Sequence, residues 1–186
     1  MIELTLMGAC QGRANDDWTP ISPYMRVVSR FEESLPRQST CLFLGGGAYI
    51  LPHLFGLSGH HVTVYEKDLY VYSRQHPTHL FCNKNRDAAY APSDYSGDPS
   101  INFIMLDCYT GFTPVSCLFS TKYLVKLKKL LLKDGVLCIN YIPTVNTSIA
   151  VFKRRLAVLF SSCEAYSIYD VNNIPRQTVY FCSGDK

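Results

Sequence analysis

The stretch CLFLGGGAYILPHL, Cys41 to Leu54, decides how the chain is read. Cys41, Leu42, Phe43 and Leu44 form a short continuous apolar run, the mark of a strand buried on both faces. Three consecutive glycines follow, Gly45, Gly46 and Gly47, and then a segment of helical character. Glycine at the mouth of a strand means that the backbone turns tightly there, or that something approaches it more closely than a Cβ would allow.

Upstream, YMRVVSRFEESL spaces Met25, Val28, Phe31 and Leu35 by three and four, which predicts a helix ended by Pro36. Residues 1–24 carry Asn15-Asp16-Asp17, Pro20 and Pro23 as breakers and read as an N-terminal arm, leaving 25–186 as a single domain. Downstream, strands and helices alternate. YILPHLFGLSG predicts a short helix interrupted by Pro52, HVTVYE a strand, KDLYVYSRQH a helix, THLFCN a third strand and INFIMLD a fourth. LFSTKYLVKLKKLLLKDG predicts an amphipathic helix stopped at Asp134-Gly135, followed by a fifth strand in GVLCINYI. NTSIAVFKRRLAVLF, capped at Asn146, is the next helix, and EAYSIYDV and QTVYFCS are the closing strands. This alternation predicts an α/β fold, a mostly parallel sheet with helices on both faces. The last two strands are joined only by the short NNIPR loop, so one of them must run antiparallel in the edge region.

Composition narrows the function. The chain has 186 residues, 47% hydrophobic and 18% charged, which describes a folded domain. A net charge of +3 does not make nucleic-acid binding the default reading. The lysines and arginines between Lys122 and Lys133 and at 153–155 read as solvated helix faces. The eight cysteines show no C-x-x-C and no Cys/His spacing, so no metal site is expected. Several sit in apolar runs and read as reduced, buried thiols of a cytoplasmic protein. The five histidines read as surface-loop residues. No apolar run reaches the roughly 18 residues of a membrane span.

In a parallel sheet, ligands bind beyond the carboxyl ends of the strands, where strand order reverses. Gly45–Gly47 end the first strand. Glu66 ends the second, 21 positions beyond Gly45, where a carboxylate can accept both hydroxyls of a ribose. Asp87-Ala88 follows the third strand, in reach of an adenine amino group, and Asp107 ends the fourth beside the presumed reacting centre. Read singly, each has a plain structural alternative: a tight turn, a solvated strand end, or a helix cap for Asp87 and Asp107. Together they fall at successive strand ends.

The segments CLFLGGGAYILPHLF, HHVTVYEKDLYVYSRQ, RDAAY and INFIMLDCYTGFTPVSCLFSTKYLVKLKKLLLKDGVLCINY resemble the spermidine-synthase-like branch of the class I S-adenosylmethionine-dependent methyltransferase superfamily, over residues 40–141. The resemblance implies a Rossmann-like sheet of seven strands ordered 3-2-1-4-5-7-6. It implies that Gly45, Gly46 and Gly47 border the amino-acid half of the cofactor, that Glu66 holds the ribose, and that Asp87 and Ala88 lie by the adenine. Aminopropyltransferases of that branch carry D-S-S-D-P after the fourth strand, the second Asp being the base. Here the run is DCYTG, with Thr110 at that place, and their N-terminal β-domain has no counterpart in the 39 residues before the first strand. A hydroxyl does not take a proton from an ammonium near neutral pH.

The expected function is therefore an S-adenosylmethionine-dependent transferase, a methyltransferase first, with a small-molecule acceptor that Asp107 and Tyr109 orient or deprotonate. Tyr24, Tyr49 and Tyr141 either line the pocket or pack the core. Aminopropyl transfer from decarboxylated S-adenosylmethionine and a catalytically idle binding module are the alternatives. A nicotinamide dehydrogenase is disfavoured by Ile50 at the third glycine position of G-x-G-x-x-G.

Overall fold

The computed structural model describes residues 1–6, 9–68, 71, 78–95, 99–111, 113–143 and 148–185. Its centre is a seven-stranded sheet. Parallel strands β3 (Thr40–Leu44), β4 (His61–Glu66), β5 (Cys82–Asn85), β6 (Ile101–Leu106) and β9 (Leu131–Tyr141) are joined by β11 (Pro175–Asp185), antiparallel to both β9 and β10 (Phe160–Tyr169). Across the sheet the strands lie β10-β11-β9-β6-β3-β4-β5, which in order of appearance is 3-2-1-4-5-7-6 as expected. The reversed strand lies second from the edge, not at it.

The apolar runs follow from burial on two sides. Along β3, Cys41 and Phe43 face one layer and Leu42 and Leu44 the other, and along β6 Phe103 and Met105 alternate with Ile104 and Leu106. The first layer is closed by α1 (Pro23–Glu32), through Met25 and Val28, and by α2 (Ile50–Leu57), through Ile50, Leu51 and Phe55. The second is closed by the short α3 (Ala91–Asp94), by α4 (Thr121–Lys128), through Leu124 and Leu127, and by α5 (Ile149–Leu159), through Phe152 and Leu156. A hairpin of β1 (Ile2–Leu6) and β2 (Ala9–Ala14) precedes α1, and β7 (Tyr109–Thr110) and β8 (Thr113–Pro114) form a small hairpin after β6. Among the described residues, no helix is long and apolar enough to cross a membrane.

Several local expectations are corrected. Pro52 does not interrupt α2, because it falls in the first turn, where its missing N–H is not needed. The apolar THLF segment forms a 3₁₀ turn at Thr78–Leu80, and the third strand is the polar CNKN at the sheet edge. The leucines after Lys128 keep a helical period, yet α4 stops there. Leu131 is taken by the sheet opposite Ile101, and residues 132–135 bulge out before Val136 rejoins opposite Phe103. Asp134-Gly135 is thus part of a strand bulge, not a helix stop. The N-cap of α5 is Ser148, whose hydroxyl accepts from the Val151 N–H. Asn146 and most of KDLYVYSRQH lie outside the described residues.

Two chemical expectations also change. Cys163 and Cys182 face each other across the β10–β11 ladder, with Cα atoms 4.2 Å apart, and are joined as a disulfide. Cys41, Cys82, Cys108, Cys117 and Cys138 are free. His53, on α2, and His60, in the connection between α2 and β4, are buried and not at the surface. His53 stacks on Trp18 with ring centroids 3.8 Å apart. His60 Nδ1 accepts from the Ser39 N–H at 3.2 Å, which leaves Nε2 to donate to Glu32 Oε1 at 2.9 Å.

Candidate active site

The glycine turn explains itself first by its own backbone. Gly45 has φ +98°, and a Cβ there would lie 2.2 Å from the Asp107 carbonyl oxygen. The main chain leaving β3 passes that close to the main chain leaving β6, and only glycine fits. Gly47 has φ +50°. A Cβ on Gly46 would meet the Tyr49 ring at 2.7 Å. Tyr49 itself takes a left-handed conformation, φ 55°, just before α2. Three glycines in a row therefore let β3 turn into α2 beneath the end of β6.

Beyond this turn lies a cavity of about 370 Å³, within the size range of small-ligand pockets. It is lined by residues after four parallel strands: Gly45 and Gly47 after β3, Glu66 and Lys67 at the end of β4, Asp87 and Ala88 after β5, and Asp107 through Gly111 after β6. Seven of the eight site residues expected from sequence line this one space. The eighth, Gly46, does not line it. Its N–H instead donates to Glu66 Oε2 at 2.9 Å, while the Asp68 N–H donates to Oε1 at 2.8 Å. Each oxygen of the Glu66 carboxylate thus keeps one acceptor site for a ligand, in a direction the backbone has already fixed.

Asp87 serves as the cap its sequence suggested, accepting from the Ala89 N–H at 2.9 Å, with Lys67 Nζ 3.4 Å away. The Ala88 carbonyl accepts from the Tyr123 hydroxyl at 2.5 Å, which anchors this wall to α4. Asp107 keeps a surface on the cavity, but its carboxyl group is packed round by protein. Oδ2 accepts from the Tyr24 hydroxyl at 3.1 Å and Oδ1 from Asn140 Nδ2 at 2.7 Å. Burial raises its pKa to about 6. The bonds from Asn140 and Tyr24 pull the other way, and the charge of Glu66 adds to the rise. The Tyr109 hydroxyl donates to the Asn140 carbonyl at 2.7 Å and accepts from the Ile142 N–H at 2.9 Å. Burial pushes that hydroxyl up, so Tyr109 offers the cavity a ring and not a base. Burial also holds the Cys108 thiol well above its usual range, and Sγ donates to the Leu44 carbonyl. Of the three other tyrosines considered, Tyr49 stacks on Phe81 and Tyr141 on Phe152 in the core, and only Tyr24 reaches the site. Lys67, Asp68 and Thr110 complete the polar lining. Among the described residues, no group of three or more His, Cys, Asp or Glu is placed to hold a metal.

Solved structures share this fold. A probable spermidine synthase from Corynebacterium glutamicum superposes with a TM-score of 0.79 at 12% identity, over 96% of this chain and 71% of that one. The fold is that of the class I methyltransferases. Human methyltransferase-like protein 13, in complex with S-adenosylhomocysteine (SAH), gives 0.65 at 16% identity, over 84% and 75% of the two chains. The Burkholderia thailandensis 1,6-didemethyltoxoflavin-N1-methyltransferase, with 1,6-didemethyltoxoflavin and S-adenosylhomocysteine bound, gives 0.64 at 16%, over 92% and 82%. No protein-family model and no curated protein sequence matches the chain. In this class I fold, the cavity described above lies at the reversal of strand order between β3 and β6, where such sheets bind ligands.

Proposed function

We propose that the chain is an S-adenosylmethionine-dependent transferase, a methyltransferase first, acting on a small-molecule acceptor. One observation carries the reading: a single cavity behind four parallel strands, with the Glu66 carboxylate held from below by the glycine turn. The lining suits the cofactor. Glu66 would accept the ribose hydroxyls, Gly45 and Gly47 leave bare backbone beneath the amino-acid end, and Asp87 and Ala88 border the adenine. S-adenosylmethionine bound there would supply a sulfonium-activated methyl group. Asp107 would orient the acceptor and take the proton it releases, and the Tyr109 ring would form the wall beside it. Cytoplasmic location belongs to the same reading; the free thiols of Cys41, Cys82, Cys108, Cys117 and Cys138 speak for it and the Cys163–Cys182 disulfide against it.

Charge favours a second reading of the cofactor. Among the described residues, Glu66, Asp68, Asp87 and Asp107 line the cavity against one cation, Lys67, which is already beside Asp87. Such a wall attracts a cationic ligand and repels phosphate, which supports a small acceptor over nucleic acid. It also suits decarboxylated S-adenosylmethionine, which lacks the carboxylate that this wall would oppose. Aminopropyl transfer would then rely on Asp107, since Thr110 supplies no base. Calorimetric titration with S-adenosylmethionine, S-adenosylhomocysteine, the decarboxylated cofactor and NAD separates these outcomes. Binding of NAD alone would overturn the reading.

Glu66→Ala is expected to weaken cofactor binding by about 1–3 kcal/mol, roughly 5- to 150-fold. Thermal unfolding without ligand should change far less than affinity. Unaltered affinity would remove Glu66 from the ribose.

A further inference from the structure

Two side chains from distant elements, Asn140 and Tyr24, bond Asp107, and a third, Gln177, acts at one remove. Asn140, on β9, is 3% exposed and gives its amide N–H to Asp107 Oδ1. Its amide oxygen accepts from Gln177 Nε2, on β11, at 2.6 Å. Tyr24, at the start of α1, closes the other carboxylate oxygen. An ionised carboxylate only accepts, so Asn140 must turn its NH₂ toward Asp107 and its oxygen away. Gln177 must then offer NH₂ in turn. The order Gln177→Asn140→Asp107 is the arrangement in which both of these contacts join a donor to an acceptor.

Resting on the transferase reading above, we propose that Asn140 and Gln177 are positioning residues that aim the ionised Asp107 carboxylate at the acceptor. Neither lines the cavity. Asn140 also fixes the far wall, since its backbone carbonyl accepts from the Tyr109 hydroxyl. The strand order makes this possible: β11, inserted beside β9, brings Gln177 within reach of a residue on the strand next to β6. The titratable groups around Asp107 are Tyr24 from α1, Glu66 from β4, Cys108 and Tyr109 next in the chain, and Cys138 from β9. Among them Glu66 is the charge that opposes ionisation, and the two donated hydrogen bonds favour it.

The test is a carbon-detected NMR titration of the Asp107 carboxyl in the ligand-free full chain, in wild type, Gln177→Leu and Gln177→Glu. Gln177 is only half-buried, so both variants are expected to fold. Gln177→Leu removes the donor that holds Asn140. The Asp107 midpoint should rise by about half a pH unit, since one unit corresponds to about 1.4 kcal/mol. Gln177→Glu replaces the donor with an acceptor that draws the Asn140 NH₂ toward itself. The Asn140 oxygen then faces Asp107, and the midpoint should rise by about one unit or more. A rise in that order supports the relay, and a midpoint that does not move in Gln177→Glu overturns it. The acidic limb of the transfer rate should follow the same shifts, which a merely structural contact would not produce. Because the titration needs no ligand, the two ideas fail separately. Shifted midpoints without binding of S-adenosylmethionine or its decarboxylated form would leave the relay and remove the transferase. Cofactor binding with unmoved midpoints would do the reverse.

Discussion

Asp107→Asn is expected to make the protein more stable at pH 8 and to abolish transfer. The native carboxyl has a folded pKa of about 6 against 3.8 for the free side chain. A carboxyl raised in this way stabilises the fold below about pH 4, and that contribution is lost as pH climbs through about 6. At pH 8 the fold carries a buried charge that the unfolded chain solvates freely. The difference is about 2–3 kcal/mol once the partial exposure of Asp107 to the cavity is allowed for. An amide has no such charge and fits the same partners. Its oxygen can accept from Asn140 Nδ2, and its NH₂ can donate to the Tyr24 hydroxyl oxygen. Urea unfolding of both proteins between pH 4 and pH 8 should show the gain at pH 8 shrinking toward zero at pH 4. Parallel stability profiles would mean that Asp107 is not held against its solvation. A stabilising substitution that removes activity marks a residue retained for chemistry at a cost in stability.

Gly45→Ala acts in the opposite direction and should cost about 3–5 kcal/mol. The left-handed φ of +98° strains any side chain, by about 1–3 kcal/mol. The added methyl would also meet the Asp107 carbonyl oxygen at 2.2 Å, a main-chain atom of the residue whose N–H donates to the Leu44 carbonyl at 2.9 Å. Either β3 or β6 must shift, and overpacking of this kind adds a similar amount. Against a total stability of about 5–15 kcal/mol, the variant should unfold at a markedly lower urea concentration. Gly46→Ala is the internal control, because the atoms nearest its methyl would belong to the Tyr49 side chain and not to the main chain. Equal losses at the two positions would show that the main-chain approach at Gly45 is not what requires glycine.

How much of this was legible in the sequence depends on distance along the chain. The strand of Cys41 to Leu44, the glycine turn and Glu66 at the end of HVTVYE are local patterns, and each was readable where it stands. The cap at Asp87 was also readable, because an Asp ahead of a short helical turn bonds within two residues. The tyrosines were not. Tyr24, Tyr49 and Tyr141 look alike in sequence, and only sheet order decides that Tyr24 reaches Asp107 while Tyr49 and Tyr141 pack the core. Asn140 and Gln177 were missed for the same reason. Asn140 is one polar residue in the apolar run VLCINYI and Gln177 sits among the polar residues that open β11, and their pairing needs the register of β9 against β11. Cys163 and Cys182 become partners only through the register of β10 against β11. The leucines of α4 misled because helical spacing continues past the residue at which the sheet takes over.

The placement of β11 bears on how the molecule is made. On a growing chain, β10 emerges before the strand that must separate it from β9, so β9 and β10 wait with open edges until β11 arrives. These are long-range pairings, which form slowly. At about 5–20 residues per second of synthesis, the wait lasts for seconds. During that interval the nascent protein presents two unpaired β edges to its surroundings, and Gln177, the final member of the Asp107 relay, belongs to the segment that closes them.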